Sequence, residues 1–343
     1  MLSVGLLGAT GYTGKKLIQI CQQHPYISDY TLYAYSSADQ MLWDIFPELS
    51  NVVENKQVKS IANLSTEHNV YFITLPHGEA LKYIPALIAN DKKVIDLGGD
   101  YRLDFEELYR QWYHFEHTSP YLLKSKTYGL ADYIDAAIYE NSRLIANPGC
   151  FPTAVLLGLL PLVENFPNFI LSASSIAYSG TSGAGKSARA DLMISEMDGN
   201  VKAYNVNEHR HEPEILQMLY KHKFNSPYSF TTHLLPVAVG IYATTTVHLK
   251  NEIDAAAVKS VYEKSYKDKP FIRLRDVPPE LKWVVNTNFC DINVAVSGNT
   301  IIITSAIDNL IKGAAGQAFQ NMNKLFGWEE TIGFNNQLLM VNY

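Results

Sequence analysis

MLSVGLLGATGYTGKKLIQICQQH, residues 1–24, decides how the first half of the chain is built. The apolar run over 2–7 reads as a strand, a glycine-rich turn follows, and Leu17, Ile18 and Cys21 fall on one face of a helix. Across the turn, Gly5, Gly8, Gly11 and Gly14 recur at every third position. Glycines there permit a tight turn and close approach of backbone to a ligand. A helix start adds unpaired N–H groups and a positive dipole end, both suited to a pyrophosphate. The order G-x-x-G-x-x-G differs from the commonest dinucleotide fingerprint, G-x-G-x-x-G, so a plain βα turn stays open beside the dinucleotide reading.

Outward from this stretch, strand and helix alternate. YTLYAYS (30–36) and NVYFITLP (69–76) read as strands, GEALKYIPALIAND (78–91) as an amphipathic helix, and KKVIDLGGD (92–100) as a strand ending in glycines. Such alternation predicts α/β architecture with a parallel sheet covered on both faces. After about residue 148 the pattern changes. FPTAVLLGLLPLV (151–163) reads as an apolar helix, and LSASSIAYSG (171–180), PVAVGIYATTTVHL (236–249) and NTIIITSAI (299–307) as strands, a mixture that predicts an α+β domain with a mixed sheet. NLIKGAAGQAFQNMNKLFG (309–327) reads as one helix burying Leu310, Ala314, Ala318 and Met322.

With 343 residues, 47% hydrophobic and 18% charged, the chain is an ordinary globular protein of two domains. Lys and Arg number 28 against 34 Asp and Glu, and no basic run interleaves with aromatics, which argues against nucleic acid as a partner. No stretch approaches the roughly 18 unbroken apolar residues of a membrane span. The N-terminus lacks the charged start and apolar core of a secretion signal. Cys21, Cys150 and Cys290 form an odd, widely spaced set, so the expectation is a cytoplasmic, reduced protein without a disulfide framework.

If a dinucleotide binds, the end of the second strand reports its type. In place of the acidic residue that holds the ribose hydroxyls of NAD, the chain has Tyr35-Ser36-Ser37-Ala38, whose hydroxyls suit a 2′-phosphate and favour NADP. His77 in LPHG is expected to line the cofactor cleft, whereas His24, His68, His114, His117 and His222 read as surface residues.

IANPGCFPTAVLLGLL (145–160) carries the chemistry. A loop delivers Cys150 two residues before Pro152, which suits the first turn of the following helix. A thiol there feels the helix dipole, which favours its thiolate. Cys21 and Cys290 read as small buried hydrophobes. The proton-transfer partner expected for a thiolate lies in AYNVNEHRHEPEI (203–215), where His209, Arg210, His211 and Glu212 cluster ahead of Pro213. A metal reading of that cluster lacks a third His or Cys at familiar spacing, so no metal is expected. A third motif, SGTSGAGKSAR (179–189), satisfies G-x-x-x-x-G-K-[ST] with Gly180, Gly185, Lys186 and Ser187, the phosphate loop of nucleotide hydrolases.

GATGYTG, LPHG, YGL, ANPGCFPTA, SGTSGAG, HRHEPEI, HLLP, TNFCDI and DNLIKGAAGQAFQNMN together resemble the N-acetyl-gamma-glutamyl-phosphate reductase family, nearly end to end and in its order. The resemblance implies a Rossmann domain over 1–148, to which a C-terminal helix within 310–343 returns. A catalytic α+β domain over 149–309 follows, like those of glyceraldehyde-phosphate and aspartate-semialdehyde dehydrogenases. It further implies NADPH-dependent reduction of an acyl phosphate in arginine biosynthesis, by a homo-oligomer, dimer or tetramer. Carried over by residue, Cys150 matches the nucleophile and His209 the acid/base, with the choice between His209 and His211 left open. Asn309 matches the residue that orients the nicotinamide amide. Gly8, Thr10, Gly11, Tyr12, Thr13, Gly14, Ser36, Ser37, Pro76 and His77 complete the cofactor set.

Arg102, Asn147 and His211 are the implied substrate residues. Ser179, Gly180, Ser182 and Lys186 are expected to form an anion nest for the acyl phosphate rather than a nucleotide-hydrolysing loop, because they follow the cysteine instead of opening a parallel array. Two departures stand out: Val239 replaces an arginine common in the family, and the turn after the second strand lacks the usual basic residue. The first keeps N-succinylglutamyl or carrier-linked aminoadipyl phosphate open as the substrate. A P-loop ATPase and a non-catalytic dinucleotide sensor are the readings of a different class.

Overall fold

The computed structural model describes residues 1–334, and the part of the expected returning helix beyond residue 334 lies outside the described residues. The chain divides into two compact units, one formed by Met1–Pro148 with the chain from Ala314 onward, the other by Gly149–Gly313.

The first unit holds seven strands: β1 (Leu2–Leu7), β2 (Ile27–Ala34), β3 (Lys59–Ser60), β4 (Val70–Ile73), β5 (Lys93–Asp96), β6 (Thr127–Tyr128) and β7 (Leu144–Ala146). They form one sheet in the order β3-β2-β1-β4-β5-β7-β6 with every pairing parallel. The chain therefore leaves β1 toward β2 and returns on its other side as β4. That topological switch opens a crevice at the carboxyl ends of β1 and β4. Val4, Leu6, Val70, Phe72, Val94 and Ile145 are fully buried, as parallel strands covered on both faces require.

Between β4 and β5 the expected single helix is broken. A 3-10 turn, Ala80–Lys82, precedes a helix at Ile84–Ala89, because Pro85 can occupy only a first turn. The C-terminal stretch also divides, into a π-turn at Ile311–Ala315 and a helix at Gly316–Leu325. That last helix is buried on nearly all sides despite its polar residues. Asn321 donates to Gly129 O at 2.8 Å and to Asn147 Oδ1 at 3.0 Å, Gln320 donates to Asp132 at 2.9 Å, and Asn323 Oδ1 meets His24 Nε2 at 2.9 Å. Hydrogen bonding offsets the desolvation of these amides. The same chemistry corrects the surface assignment of three histidines. His24, His68 and His117 are buried, held by Asn323, by the Tyr33 hydroxyl and by Asp100 O respectively.

The second unit holds β8 (Ile170–Ser179), β9 (Lys202–Tyr204), β10 (Tyr228–Leu234), β11 (Ile241–Leu249), β12 (Ile272–Leu274), β13 (Cys290–Ser297) and β14 (Thr300–Ile307). Their order, β12-β13-β14-β11-β8-β10-β9, mixes parallel and antiparallel pairs. The helix Cys150–Asn165 covers one face: Ser305 Oγ donates to Ala154 O at 2.8 Å, and a Cβ on Gly158 would stand 3.1 Å from Ile303. The opposite face carries Ser174, Ile176, Tyr242, Thr244, Ile302 and Thr304, a run without a charge in which Ile176 and Ile302 are exposed.

Candidate active site

In the first unit, the glycine turn has the shape that its spacing predicted. Gly8 sits at φ +81°, and a Cβ there would lie 2.6 Å from Thr74 O; one on Gly14 would lie 2.5 Å from Ala9 O. A Cβ at Gly11 would meet, among the described residues, nothing nearer than Gly8 O at 3.7 Å, so that side of the turn is open. The helix Tyr12–Gln23 that follows has no side-chain cap. Close packing behind the turn, open space before it and uncapped N–H groups at a switch point fit a dinucleotide pyrophosphate. Thr10, Tyr12 and Thr13 share this rim, Ser36 and Ser37 follow β2, and Pro76 and His77 follow β4, both exposed.

Two residues that the sequence reading did not single out fix the loops after β4 and β5. The buried carboxylate of Asp100 accepts the Gly78 N–H at 2.8 Å and the Ala80 N–H at 3.1 Å. Asp96, also buried, accepts the Gly98 N–H at 2.9 Å. Burial raises both carboxyls, and the charge of Asp100 raises Asp96 further. Arg102 donates to Asn147 O at 2.9 Å and to Leu97 O at 2.8 Å, and Asn147 donates to Ala314 O at 3.3 Å. Both side chains thus hold backbone within this unit.

In the second unit Cys150 opens its helix directly after Gly149, with no side-chain cap, and remains half-buried rather than sealed. Gly149 donates its N–H to Oε1 of the fully buried Glu214 at 2.8 Å, and Thr153 Oγ1 donates to Gly149 O at 2.9 Å. The HRH segment folds against the same residue: a Cβ on Gly149 would overlap His211 Nε2. His209 lies deeper, ringed by Phe151, Tyr204 and Phe230 at centroid distances of 5.3, 5.5 and 5.7 Å. Its Nδ1 accepts the His211 N–H at 3.2 Å. Burial, helped by the charge of Arg210, lowers the His209 pKa to about 4, so its imidazole is neutral near pH 7. On the far side, Gly313 seats the cysteine, since a Cβ there would come within 2.7 Å of Cys150 Cβ. Gly313 belongs to the π-turn, a feature frequent at functional sites.

The SGTSGAG segment uses its donors internally. Gly180, Thr181 and Ser182 give their N–H groups to the carbonyls of Gly240, Val237 and Ala238 at 2.9, 2.9 and 3.0 Å, and Ser179 Oγ donates to Gly180 O at 2.9 Å. Asn309 clamps the arrangement, accepting the Gly240 N–H at 2.7 Å and donating to Ser182 Oγ at 3.0 Å. Lys186 is exposed, and Val239 is buried beside Gly180. A phosphate loop needs free N–H groups ahead of an α-helix, but this one enters two 3-10 turns, Thr181–Ala184 and Ala190–Leu192. Among the described residues no cluster of His, Cys, Asp or Glu could hold a metal, and no helix is long and apolar enough to cross a membrane.

A parallel dinucleotide-binding unit joined to a mixed-sheet unit that opens on a cysteine defines the semialdehyde dehydrogenase class. Residues 3–138 match the family described as semialdehyde dehydrogenase, NAD binding domain, and residues 150–309 its dimerisation domain. Aspartate semialdehyde dehydrogenase II of Vibrio cholerae, solved with ASA, superposes with a TM-score of 0.72 at 18% identity, covering 95% of this chain and 98% of that one. The Candida albicans enzyme, solved with NADP, gives 0.71 at 16% identity, with 97% and 99% covered. Sequence relatives are nearer. N-acetyl-gamma-glutamyl-phosphate reductase of Pelodictyon phaeoclathratiforme is 40% identical over 98% of this chain and 100% of its own length, and that of Heliobacterium modesticaldum 39% identical over 97% and 98%. The chain belongs to the N-acetyl-gamma-glutamyl-phosphate reductase family.

Proposed function

We propose that the chain reduces N-acetyl-gamma-glutamyl phosphate to the semialdehyde, with NADPH as reductant and Cys150 as nucleophile, in arginine biosynthesis. The observation that carries the chemistry is the placing of Cys150: a half-buried cysteine at an uncapped helix start, with the HRH segment folded against the residue before it. The glycine turn over 8–14 would hold the pyrophosphate, with Ser36, Ser37, Pro76 and His77 around the remainder of the cofactor. NADPH, when bound, supplies the hydride.

The thiol proton passes to an imidazole, and the thiolate attacks the acyl carbon. The carbon–oxygen bond to phosphate breaks, the departing phosphate takes that proton, and a thioester remains on Cys150. Once the carbonyl carbon has gained hydride, the alkoxide collapses, the carbon–sulfur bond breaks, and aldehyde and thiolate separate. N–H groups at the helix start and the imidazole N–H stabilise the oxyanion. We assign the proton transfer to His211 rather than His209. What supports this is that His211 Nε2 lies against Gly149, whereas His209 is enclosed by three aromatic rings and its Nδ1 is occupied by a backbone donor. His209 then positions His211.

The finer oligomeric reading is a homodimer through the part of the mixed-sheet face that β8, β11 and β14 form, since exposed Ile176 and Ile302 among uncharged Ser, Thr and Tyr side chains suit burial against a second copy.

NADPH oxidation with synthetic N-acetylglutamyl phosphate tests the activity. Cys150→Ser is expected to abolish turnover while leaving NADP affinity within about two-fold, and His211→Asn to lower kcat by about a hundred-fold or more. Undiminished turnover by Cys150→Ser overturns the nucleophile. A larger loss from His209→Asn than from His211→Asn returns the acid/base role to His209.

A further inference from the structure

The turn after β2 raises an electrostatic problem. In dinucleotide folds the residues ending the second strand face the adenosine ribose, where an NADP-binding chain supplies a cation for the 2′-phosphate. Residues 35–40 contain no cation and one acid, the exposed Asp39. A carboxylate without compensation there would repel the phosphate.

The fold brings a cation in from elsewhere. Tyr35, the first residue past β2, donates its hydroxyl to Oε2 of Glu79 at 2.7 Å and meets the Tyr83 hydroxyl at 2.9 Å. Glu79 in turn accepts Lys82 Nζ on both carboxylate oxygens, each at 2.8 Å. The chain Tyr35–Glu79–Lys82 therefore spans from the end of β2 to the 3-10 turn Ala80–Lys82 that follows β4, and it sets an ammonium two hydrogen bonds from the β2 terminus. The Lys82 side chain is 61% exposed, so the charge can reach a ligand without a prior desolvation cost. Lys59, exposed on β3 and paired in register with Tyr33, is the other cation beside the end of β2, and among the described residues it has no such hydrogen-bonded connection to Tyr35 through Glu79. Asp39 from the turn itself, Lys59 from β3, and Glu79 and Lys82 from the loop after β4 are the charged groups near this turn.

We propose that Lys82 is the 2′-phosphate-binding cation of this chain, oriented by Glu79 and Tyr35, with the hydroxyls of Ser36 and Ser37 completing the site. The arrangement replaces the basic residue missing from the β2 turn with one 47 positions from Tyr35 in sequence. Glu79 has a second effect. Its negative charge offsets part of the ammonium field, so the chain discriminates between NADP and NAD less sharply than one with an unpaired cation at the turn.

This inference rests on the NADP-dependent reading above, and calorimetric titration of the intact protein with NADP and with NAD separates the two. For Lys82→Ala, NADP affinity is expected to fall about ten-fold with NAD affinity unchanged, as loss of one charge-assisted contact implies. For Glu79→Gln, NADP affinity is expected to rise about three-fold and NAD affinity to stay level. Both residues lie at the surface of a short turn, so folding is not at stake. Wild-type protein that binds NADP, paired with a Lys82→Ala variant that binds it equally well or loses NAD in proportion, overturns the role of Lys82. Wild-type protein that binds neither dinucleotide overturns the cofactor reading and this inference with it.

Discussion

Glu214 Oε1 accepts the backbone N–H of Gly149 at 2.8 Å, so a buried carboxylate on the HRH side of the unit holds the residue that delivers Cys150. Replacing it with alanine leaves a buried donor unsatisfied, at a cost of about 1–3 kcal/mol. Glu214→Ala is therefore expected to lower the unfolding free energy by that amount and kcat by at least about ten-fold. Glu214→Gln, which keeps an acceptor oxygen, should recover most of the stability. Denaturant unfolding alongside steady-state rates checks this, and equal kcat for Glu214→Ala and wild type would contradict it.

Gly313 makes a different contact, with Cys150 itself. Its missing Cβ is what lets Cys150 Cβ sit where it does, since a methyl group would stand 2.7 Å away. Gly313→Ala is expected to displace the thiol, costing about 1–3 kcal/mol by overpacking and changing the rate at which iodoacetamide alkylates Cys150 by several-fold. Mass spectrometry of the Cys150 peptide gives that rate, and an alkylation time course matching wild type counts against the seat.

The pH dependence of stability follows from His209. Its folded pKa, lowered from 6.5 to about 4 chiefly by burial, means that between these values the unfolded chain binds the extra proton. Stability from this group is fully present above about pH 6.5 and is lost as pH falls toward 4. A variant with His209→Asn should show a flatter stability profile across that window in urea melts at stepped pH. Asp96 acts in the opposite sense: its raised carboxyl pKa means that stability from this group declines as pH rises from its unfolded value near 3.8. Asp96→Asn should remove that decline.

The sheet face that bears Ile176 and Ile302 yields a prediction about assembly. Ile176 lies opposite Thr244, which pairs with Thr304, while Ile302 pairs with Thr246 on the neighbouring strand, so the two isoleucines share one surface. Lysine at both positions is expected to convert the proposed dimer into a monomer without changing the circular dichroism spectrum. Light scattering after gel filtration reads the mass; a double variant that remains dimeric places the interface elsewhere.

Much of this protein was written in local sequence. The glycine turn, the uncapped helix at Cys150 and the apolar strands follow from backbone sterics and hydrophobic period, which act over a few residues. Pro85 broke a predicted helix for an equally local reason that the amphipathic pattern concealed. The buried histidines were misread because polarity predicts exposure unless a partner is known, and Asn323, Tyr33 and Asp100 lie far away in sequence or on other elements. That the N–H groups of Gly180, Thr181 and Ser182 go to the loop before β11 could not be read from the SGTSGAG segment, since their acceptors lie more than fifty positions away.

What the sequence determined alone was therefore the order of elements, since propensity and turn geometry are properties of neighbouring residues. Tertiary structure decided which donors meet which acceptors: Glu214 with Gly149, Asp100 with Gly78, Lys82 with Glu79 and, through it, Tyr35. The reason is one of range. Hydrogen bonds and ion pairs form between side-chain ends and backbone groups within about 3 Å, and only the closed chain brings residues tens of positions apart to that distance.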